Sequence, residues 1–306
     1  MLAITGATGF LGCYICTKLS DPHKCLSRQL ISSSSANRIW IQGDLSLQKS
    51  MDAFVKDSSV LIHLACSSNP RTSDLNWLTD IQNNLISSVN LFEAYAKANS
   101  GGHIILASTG GNMYEALDDS HAHSEGDLPE PRSSYGIHKL AIEHYLRLLC
   151  LNQGLCGTVL RISNPYGVLV PSQRAQGLIG VVFSKLLANE SLQIFDSMES
   201  VRDYIHLEDM TRAFEMAMQQ PPQKGECRTF NVGSGVGHSM AEVLSIIEAT
   251  TKQTIAKQFQ PSSNQKPTSS ILCNEKIRDV LGWSPAIGLK EGVQMMWERC
   301  SQPVEV

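Results

Sequence analysis

The chain has 306 residues, 25 Lys and Arg against 29 Asp and Glu, a net charge of -4, and 42% apolar with 18% charged residues. This is the composition of a soluble globular protein with room for a large core, and its scattered cations form no stripe to track a phosphate backbone. No stretch approaches the ~20 apolar residues that span a bilayer, so small molecules are the expected partners, with no nucleic acid and no membrane.

Residues 2–5 read as a short strand that runs straight into Thr5-Gly6-Ala7-Thr8-Gly9-Phe10-Leu11-Gly12. That leaves no room for a secretion signal, and a cytoplasmic location is expected. Nine cysteines, odd in number and irregularly spaced, agree with reduced thiols rather than a disulfide framework. In the glycine run Gly6 permits the tight turn, Gly9 lets backbone amides approach a pyrophosphate, and Gly12 lets the following helix pack close to the strand. The phosphate charge then meets the positive end of that helix. Cys13-Tyr14-Ile15-Cys16 has redox spacing, but the glycine turn already claims this helix end, so packing is the expected role of both cysteines.

Further strands are expected at residues 24–27, 39–42, 60–64, 103–107 and 157–162, with helices between them. Helices 80–98 and 135–151 carry the most regular apolar spacing of three and four. This alternation predicts an α/β fold with a Rossmann-type doubly wound parallel sheet. Beyond Pro165 the texture changes to Gly-, Pro- and Ser-rich connections, with a helix near 179–188 and a polar, loop-like stretch at 252–268. A helix at 209–219 and a strand at 230–233 return to the first domain. The expected organisation is therefore a dinucleotide-binding domain of residues 1–164 plus about 209–233, and a smaller interleaved substrate lobe of 165–208 and 234–306. His121-Ala122-His123 lies in an acidic stretch with no matching Cys/His set, so a solvated loop is expected there and no metal.

The second strand ends Leu26-Ser27-Arg28-Gln29, without the carboxylate that selects NAD by binding the ribose hydroxyls. Arg28 either faces a 2′-phosphate or points to solvent. Asp44, at the end of the third strand, either accepts from an adenine amine or caps a helix. Tyr135 and Lys139 stand four residues apart and share a helix face. A tyrosine with a pKa of about 10 is a poor base at neutral pH, and an adjacent ammonium favours the phenolate. The lysine can also bond a cofactor ribose.

Together with GDL at 43–45, HLAC at 63–66, Asn84 in NNLISSVNLFEA, STGGNMY at 108–114, YGIHK at 135–139, RISNPYG at 161–167, RDYIHLED at 202–209, FNVGSG at 230–235 and LGWSP at 281–285, these motifs cover nearly the whole chain. The chain resembles an extended short-chain dehydrogenase/reductase of the NAD-dependent epimerase/dehydratase family. Within that family it is most similar to UDP-glucose (UDP-galactose) 4-epimerases and their relatives acting on N-acetylated sugars.

The resemblance implies a sugar-nucleotide epimerase, an isomerase of carbohydrate metabolism, in which Tyr135 takes the sugar C4 hydroxyl proton while hydride passes to nicotinamide. The resulting 4-keto sugar turns over in the site and receives the hydride on its other face. It implies NAD as cofactor, held by the glycine turn and lined by Phe10, Leu11, Asp44, Leu45, Leu64, Ala65 and Asn84. Arg202 becomes a diphosphate anchor and Asn164 a substrate contact. A homodimer follows too, through a four-helix contact between the helix near Tyr135 and that spanning 80–98.

Three departures bear on these expectations. The missing acidic residue after the second strand admits NADP through Arg28. The place of the usual catalytic hydroxyl is Gly110, so Thr109 or Ser108 must serve. Where a second diphosphate-binding arginine is usual, in residues 261–267, the chain offers only Lys266. Because Gly110 and Gly111 cannot do acid/base work, dehydration ranks below epimerisation. The alternatives are an NADP-dependent keto-sugar or carbonyl reductase of the same family and, behind it, a dinucleotide-sensing module without catalysis.

Overall fold

A computed structural model describes residues 1–32, 37–70, 72–115, 121–169, 177–260 and 266–301. In chain order the elements begin β1 (Leu2–Thr5), α1 (Phe10–Lys18), β2 (His23–Ser27), β3 (Arg38–Gln42), α2 (Gln48–Val55) and β4 (Val60–His63). There follow α3 (Trp77–Asp80), a π-helical stretch (Ile81–Ile86), α4 (Ser87–Ala98), β5 (His103–Thr109), β6 (Ala122–His123), α5 (Ser134–Gln153), β7 (Cys156–Ile162) and β8 (Asn164–Tyr166). The chain continues through α6 (Leu178–Leu187), β9 (Leu192–Ile194), β10 (Val201–His206), α7 (Leu207–Gln219), β11 (Cys227–Val232), β12 (Gly237–Ser239) and α8 (Met240–Thr251). It ends with β13 (Lys257–Phe259), β14 (Ser269–Leu272), α9 (Glu275–Leu281) and α10 (Leu289–Ser301).

Two compact units result. The first comprises Met1–Met113, Leu128–Arg161 and Thr211–Phe230, the second Tyr114–Asp127, Ile162–Met210 and Asn231–Val306. The main sheet has seven strands in the order β11-β7-β5-β4-β1-β2-β3. The pairs β3–β2, β2–β1, β1–β4 and β4–β5 are all parallel, with Ile4 opposite Cys25 on one side and Ile62 on the other.

This is the Rossmann-type doubly wound order expected from the sequence. It reverses between β1 and β4, and ligands of such sheets bind outside the carboxyl ends of the strands at that point. Strands β1, β5 and β7 are buried at every residue, as parallel strands covered on both faces must be. Ala3, Leu61, Ile104 and Leu106 face one core with Phe54 of α2, Phe92 of α4 and Leu146 of α5. The alternate residues Ile4, Ile62 and Ile105 are equally buried. Strand β3, at the sheet's edge, is only half covered.

The two most periodic helices form as the sequence indicates. α5 starts at Ser133, whose hydroxyl accepts from the Gly136 amide, and stops at Gly154, whose φ of +67° only glycine adopts cheaply. The helical run expected over 80–98 starts earlier, at Trp77, because the Asn76 side chain caps it. It also contains the π-helical stretch, which the apolar spacing does not reveal.

The second unit holds a sheet ordered β12-β10-β14-β6 with β8 beside β10, and a separate β13–β9 pair. Three expectations are corrected here. The stretch 252–268 is not wholly loop, because residues 257–259 pair in parallel with 192–194. Residues 261–265 lie outside the described residues. Tyr114–Asp127, placed by the sequence with the dinucleotide-binding domain, belongs to the second unit, since β6 pairs with β14. For the same reason His123 is not in a solvated loop: it is buried and stacks on Tyr114 at 4.9 Å. In this unit the Trp283 indole donates to the Asp209 carbonyl, while the Asp209 carboxylate accepts from the amides of Ala286 and Ile287. That network is what the RDYIHLED and LGWSP motifs do structurally.

Candidate active site

The turn after β1 leaves no space for side chains. A Cβ on Gly6, whose φ is +70°, would stand 2.6 Å from the Ala65 amide nitrogen, and one on Gly12 would stand 2.1 Å from the Gly6 carbonyl oxygen. Gly9 is the N-cap of α1 and contributes no side-chain bond to its first turn. The orphan amides of a nine-residue helix therefore face outward beside a backbone cradle, the arrangement that receives a phosphate. Phe10 and Leu11, half-buried, open that helix. The residues present fit a dinucleotide cofactor. The two cysteines of α1 do not face each other: Cys13 is exposed, and the buried Cys16 lies 3.7 Å from Cys25 of β2.

A chain of buried polar contacts fixes the ends of β1 and β4. The Thr5 hydroxyl meets His63 Nδ1 at 2.7 Å, and His63 Nε2 meets the Ser88 hydroxyl at 2.8 Å. Burial, with the Lys139 charge adding to it, pushes the His63 imidazole down to about 3, so it is neutral. Ser88 donates to the Asn84 carbonyl. The Asn84 carboxamide accepts from the Ser67 amide at 2.7 Å and donates to Asp80 at 2.7 Å. Asn84 thus pins the turn after Leu64 and Ala65, both half-buried. It sits in the π-helical stretch, and such bulges are frequent at functional sites.

At the end of β3, Asp44 is not the cap of α2. Its carboxylate accepts from the Ser46 amide at 2.8 Å, and Leu47 occupies the cap position without a side-chain bond. The Ser46 bonds hold the Asp44 carboxyl below its usual range, and the charge of the exposed Arg28 lowers it further. Leu45 turns into the core.

Strand β5 separates the two candidate hydroxyls. Side chains alternate along a strand. The Thr109 hydroxyl pulls the pKa of the Tyr135 phenol down, whereas Ser108 donates to Glu143. Glu143 is itself buried against Arg161, with Nη2 at 2.7 Å and Nε at 3.2 Å. Ser108 therefore serves an internal ion pair.

Lys139 is buried, donates to the Ala107 carbonyl at 2.9 Å, and holds its ammonium 5.8 Å from the centre of the Tyr135 ring. The phenol itself is pushed up by burial and by the Cys66 thiol, with the Thr109 hydroxyl pulling the other way. The ammonium alone does not make it acidic, contrary to the expectation from helix spacing.

Three residues of this region escaped the sequence reading. His138, between Tyr135 and Lys139, places Nδ1 2.8 Å from Asp80 and Nε2 3.8 Å from the Cys66 sulfur. The signals were present in YGIHK and HLAC, but nothing in the sequence joins residues 58 or 72 positions apart.

In the second unit, the Asn164 amide donates to the Asp203 carbonyl at 2.8 Å and so holds β8 to β10. Arg202 donates to the carbonyls of Val201 and Thr268, to the Thr268 hydroxyl and to Asp196. Lys266 is exposed. A cavity of about 690 Å³ opens in the same unit against Tyr204, Val236, His238, Leu289 and Gln294, and none of these three residues lines it. Among the described residues no helix is long and apolar enough to cross a membrane.

Comparison with known proteins places this geometry. The chain is 30% identical over 236 residues to the dTDP-4-dehydro-6-deoxyglucose reductase of Escherichia coli, covering 77% of this chain and 73% of that one. It is 28% identical over 310 residues to a putative UDP-glucose 4-epimerase of Methanocaldococcus jannaschii, covering 96% of each. The crystal structure of UDP-glucose 4-epimerase with UDP-glucose from Thermotoga maritima superposes with a TM-score of 0.87 at 27% identity, covering 97% of both chains. The NAD-dependent epimerase/dehydratase family matches residues 2–233, and the chain belongs to that family.

Proposed function

We propose that the protein is a nucleotide-sugar 4-epimerase that uses bound NAD and works through a transient 4-keto sugar, with UDP-glucose and UDP-galactose or their N-acetyl forms as substrates. The observation that carries this reading is Tyr135 with the Lys139 ammonium 5.8 Å from its ring centre, one turn further along the same helix, in a chain whose relatives include UDP-glucose 4-epimerases.

NAD, when bound, supplies an acceptor that takes a hydride from C4 and gives it back. The protein's own residues do the rest. Tyr135 takes the C4 hydroxyl proton and returns it, a general base whose proton is held firmly by burial until positive charge approaches. Thr109 orients the phenol and the substrate oxygen. Lys139, fixed by the Ala107 carbonyl, is the cation on that helix face. The glycine turn, Leu64, Ala65 and the Asn84-pinned turn form the cofactor's bed. Asp44 and Arg28 stand together where its adenosine end would lie. In the second unit Arg202 is the diphosphate anchor, sharing its guanidinium with Thr268, with Lys266 and Asn164 as further substrate contacts. An epimerase must grip the nucleotide and let the keto sugar turn, so charged anchors belong on the diphosphate.

The working form is a cytoplasmic homodimer. α5 exposes Ile137, Tyr145, Leu148 and Leu151 along one stripe, and the neighbouring helical run exposes Ile81 and Ile86, an apolar surface of the kind that marks an interface. The odd, scattered thiols suit a reducing compartment.

A second reading, reduction of a 4-keto nucleotide sugar, is favoured by the relative named as dTDP-4-dehydro-6-deoxyglucose reductase and by exposed Arg28. Incubating the purified protein with UDP-glucose, UDP-galactose and their N-acetyl forms, without added cofactor, separates the two. Interconversion with no net change in nicotinamide absorbance supports the epimerase. No product from any of them, with stoichiometric loss of NADPH on a keto sugar, supports the reductase.

A further inference from the structure

We propose that Cys66 is a site of covalent modification, a thiol made nucleophilic by His138 and Asp80 and open to hydroperoxides and to alkylating electrophiles. The His138 Nδ1 lies 2.8 Å from Asp80 Oδ2. A carboxylate only accepts there, so Nδ1 carries the hydrogen and Nε2 keeps its lone pair. That lone pair faces the Cys66 sulfur at 3.8 Å, and the thiol also donates to the Ser68 carbonyl at 3.3 Å. Asp80 in turn accepts from Asn84 Nδ2 at 2.7 Å and from the Ser134 hydroxyl at 2.9 Å, so the carboxylate cannot swing away. His138 and Asp80 are buried, while Cys66 is half-buried. Nucleophile, base and orienting carboxylate thus stand in one line, the arrangement that activates thiols.

The charged and titratable groups around the sulfur are His138, Lys139 and Tyr135 on α5 and, behind His138, Asp80 at the end of α3. Burial pushes the thiol up, but the Lys139 ammonium and the His138 bond outweigh it and hold it below its ordinary range. For Asp80, too, burial is outweighed, by bonds from Ser68, Ser134 and His138 that keep it ionised.

The reaction with a hydroperoxide balances within this set. The thiol proton moves to His138 Nε2, and the thiolate attacks the outer peroxide oxygen. An S–O bond forms as the O–O bond breaks, and the departing oxygen takes the proton back from His138. Sulfur is oxidised by two electrons to a sulfenic acid, and the peroxide is reduced to water or an alcohol. The Tyr135 ring packs edge-on against His138 at 5.5 Å, so the adduct forms beside the phenol. The reactivity itself stands apart from the function proposed above.

The test is labelling of the full-length protein with iodoacetamide between pH 6 and pH 8, read at Cys66 by peptide mass spectrometry against the same cysteine in the urea-unfolded chain. A thiol with a pKa of about 8.5 loses roughly 75-fold in thiolate across that interval. Cys66 in the folded protein is expected to lose less than about tenfold, and at pH 6 to react at least about tenfold faster than the unfolded reference. His138→Asn and Asp80→Asn should each slow it about five- to thirtyfold at pH 6. Should either variant fail to fold, the wild-type pH profile decides alone. Hydrogen peroxide followed by dimedone should mark the same residue. An ordinary pH profile, or a Cys66 left unmarked by dimedone, overturns the proposal.

Discussion

Replacing the two adjacent hydroxyls of β5 one at a time should produce opposite phenotypes. Thr109→Val keeps the shape of a buried side chain and removes the hydroxyl that lowers the pKa of the Tyr135 phenol. Loss of one preorganised donor at a developing oxyanion costs about 100- to 1,000-fold in kcat. Its effect on stability should be small, about 1 kcal/mol, since a single neutral hydrogen bond is lost. Ser108→Ala instead removes a bond to the Glu143 carboxylate, which keeps its contacts with Arg161. A hydrogen bond to a charged group contributes about 1.5–3 kcal/mol, so the thermal midpoint should fall by about 2–5 °C while kcat stays within about threefold. The assay is conversion of UDP-galactose to UDP-glucose under saturating substrate, paired with a thermal melt of each variant. A hundredfold loss of rate in Ser108→Ala with Thr109→Val near wild type would refute the assignment of roles.

Three further outcomes follow from the geometry. Gly12→Ala drives a Cβ to within 2.1 Å of the Gly6 carbonyl while Gly9→Ala meets it at 3.2 Å; the first should lose about tenfold or more in nucleotide affinity and the second much less, as read by nucleotide retained through purification. Leu148→Glu places a charge on the exposed stripe of α5 and should leave a monomer in sedimentation or light scattering with cofactor binding intact. Burial lowers His63 to about 3 and His103 to about 4. Below about pH 6.5 the unfolded chain takes up these protons and the native one does not, so stability is full above that pH and falls toward pH 4 by up to about 1.4 kcal/mol per pH unit for each group. His103→Gln should remove about half of that slope in pH-dependent melts.

The parts of the fold that were legible are those where local chemistry decides the structure. The strand before Gly6 and the helix that begins at Phe10 declare themselves through an apolar run, a glycine spacing and a switch of period. α5 declares its ends through Ser133 and Gly154. What stayed hidden depends on partners distant in the chain. Neither Ser108 nor Thr109 says which face of β5 it takes, since that is set by Glu143 and Tyr135 on another element. Asp44 could cap or bind until the Ser46 amide was seen to claim it. β6 and β13 are too short to carry a period, and they exist only because β14 and β9 lie beside them. The expectation that Lys139 favours the Tyr135 phenolate came from helical spacing, which brings two side chains to one face without fixing where the ammonium points. It bonds the Ala107 carbonyl.

The epimerase mechanism requires that hydrogen leave C4 as hydride and return to the same sugar within one enzyme. UDP-galactose carrying deuterium at C4, converted by the purified protein without added cofactor, tests it by mass spectrometry of the UDP-glucose formed. Retention of the deuterium at C4 is the predicted result; its replacement by solvent hydrogen, or consumption of one nicotinamide for each sugar turned over, contradicts it.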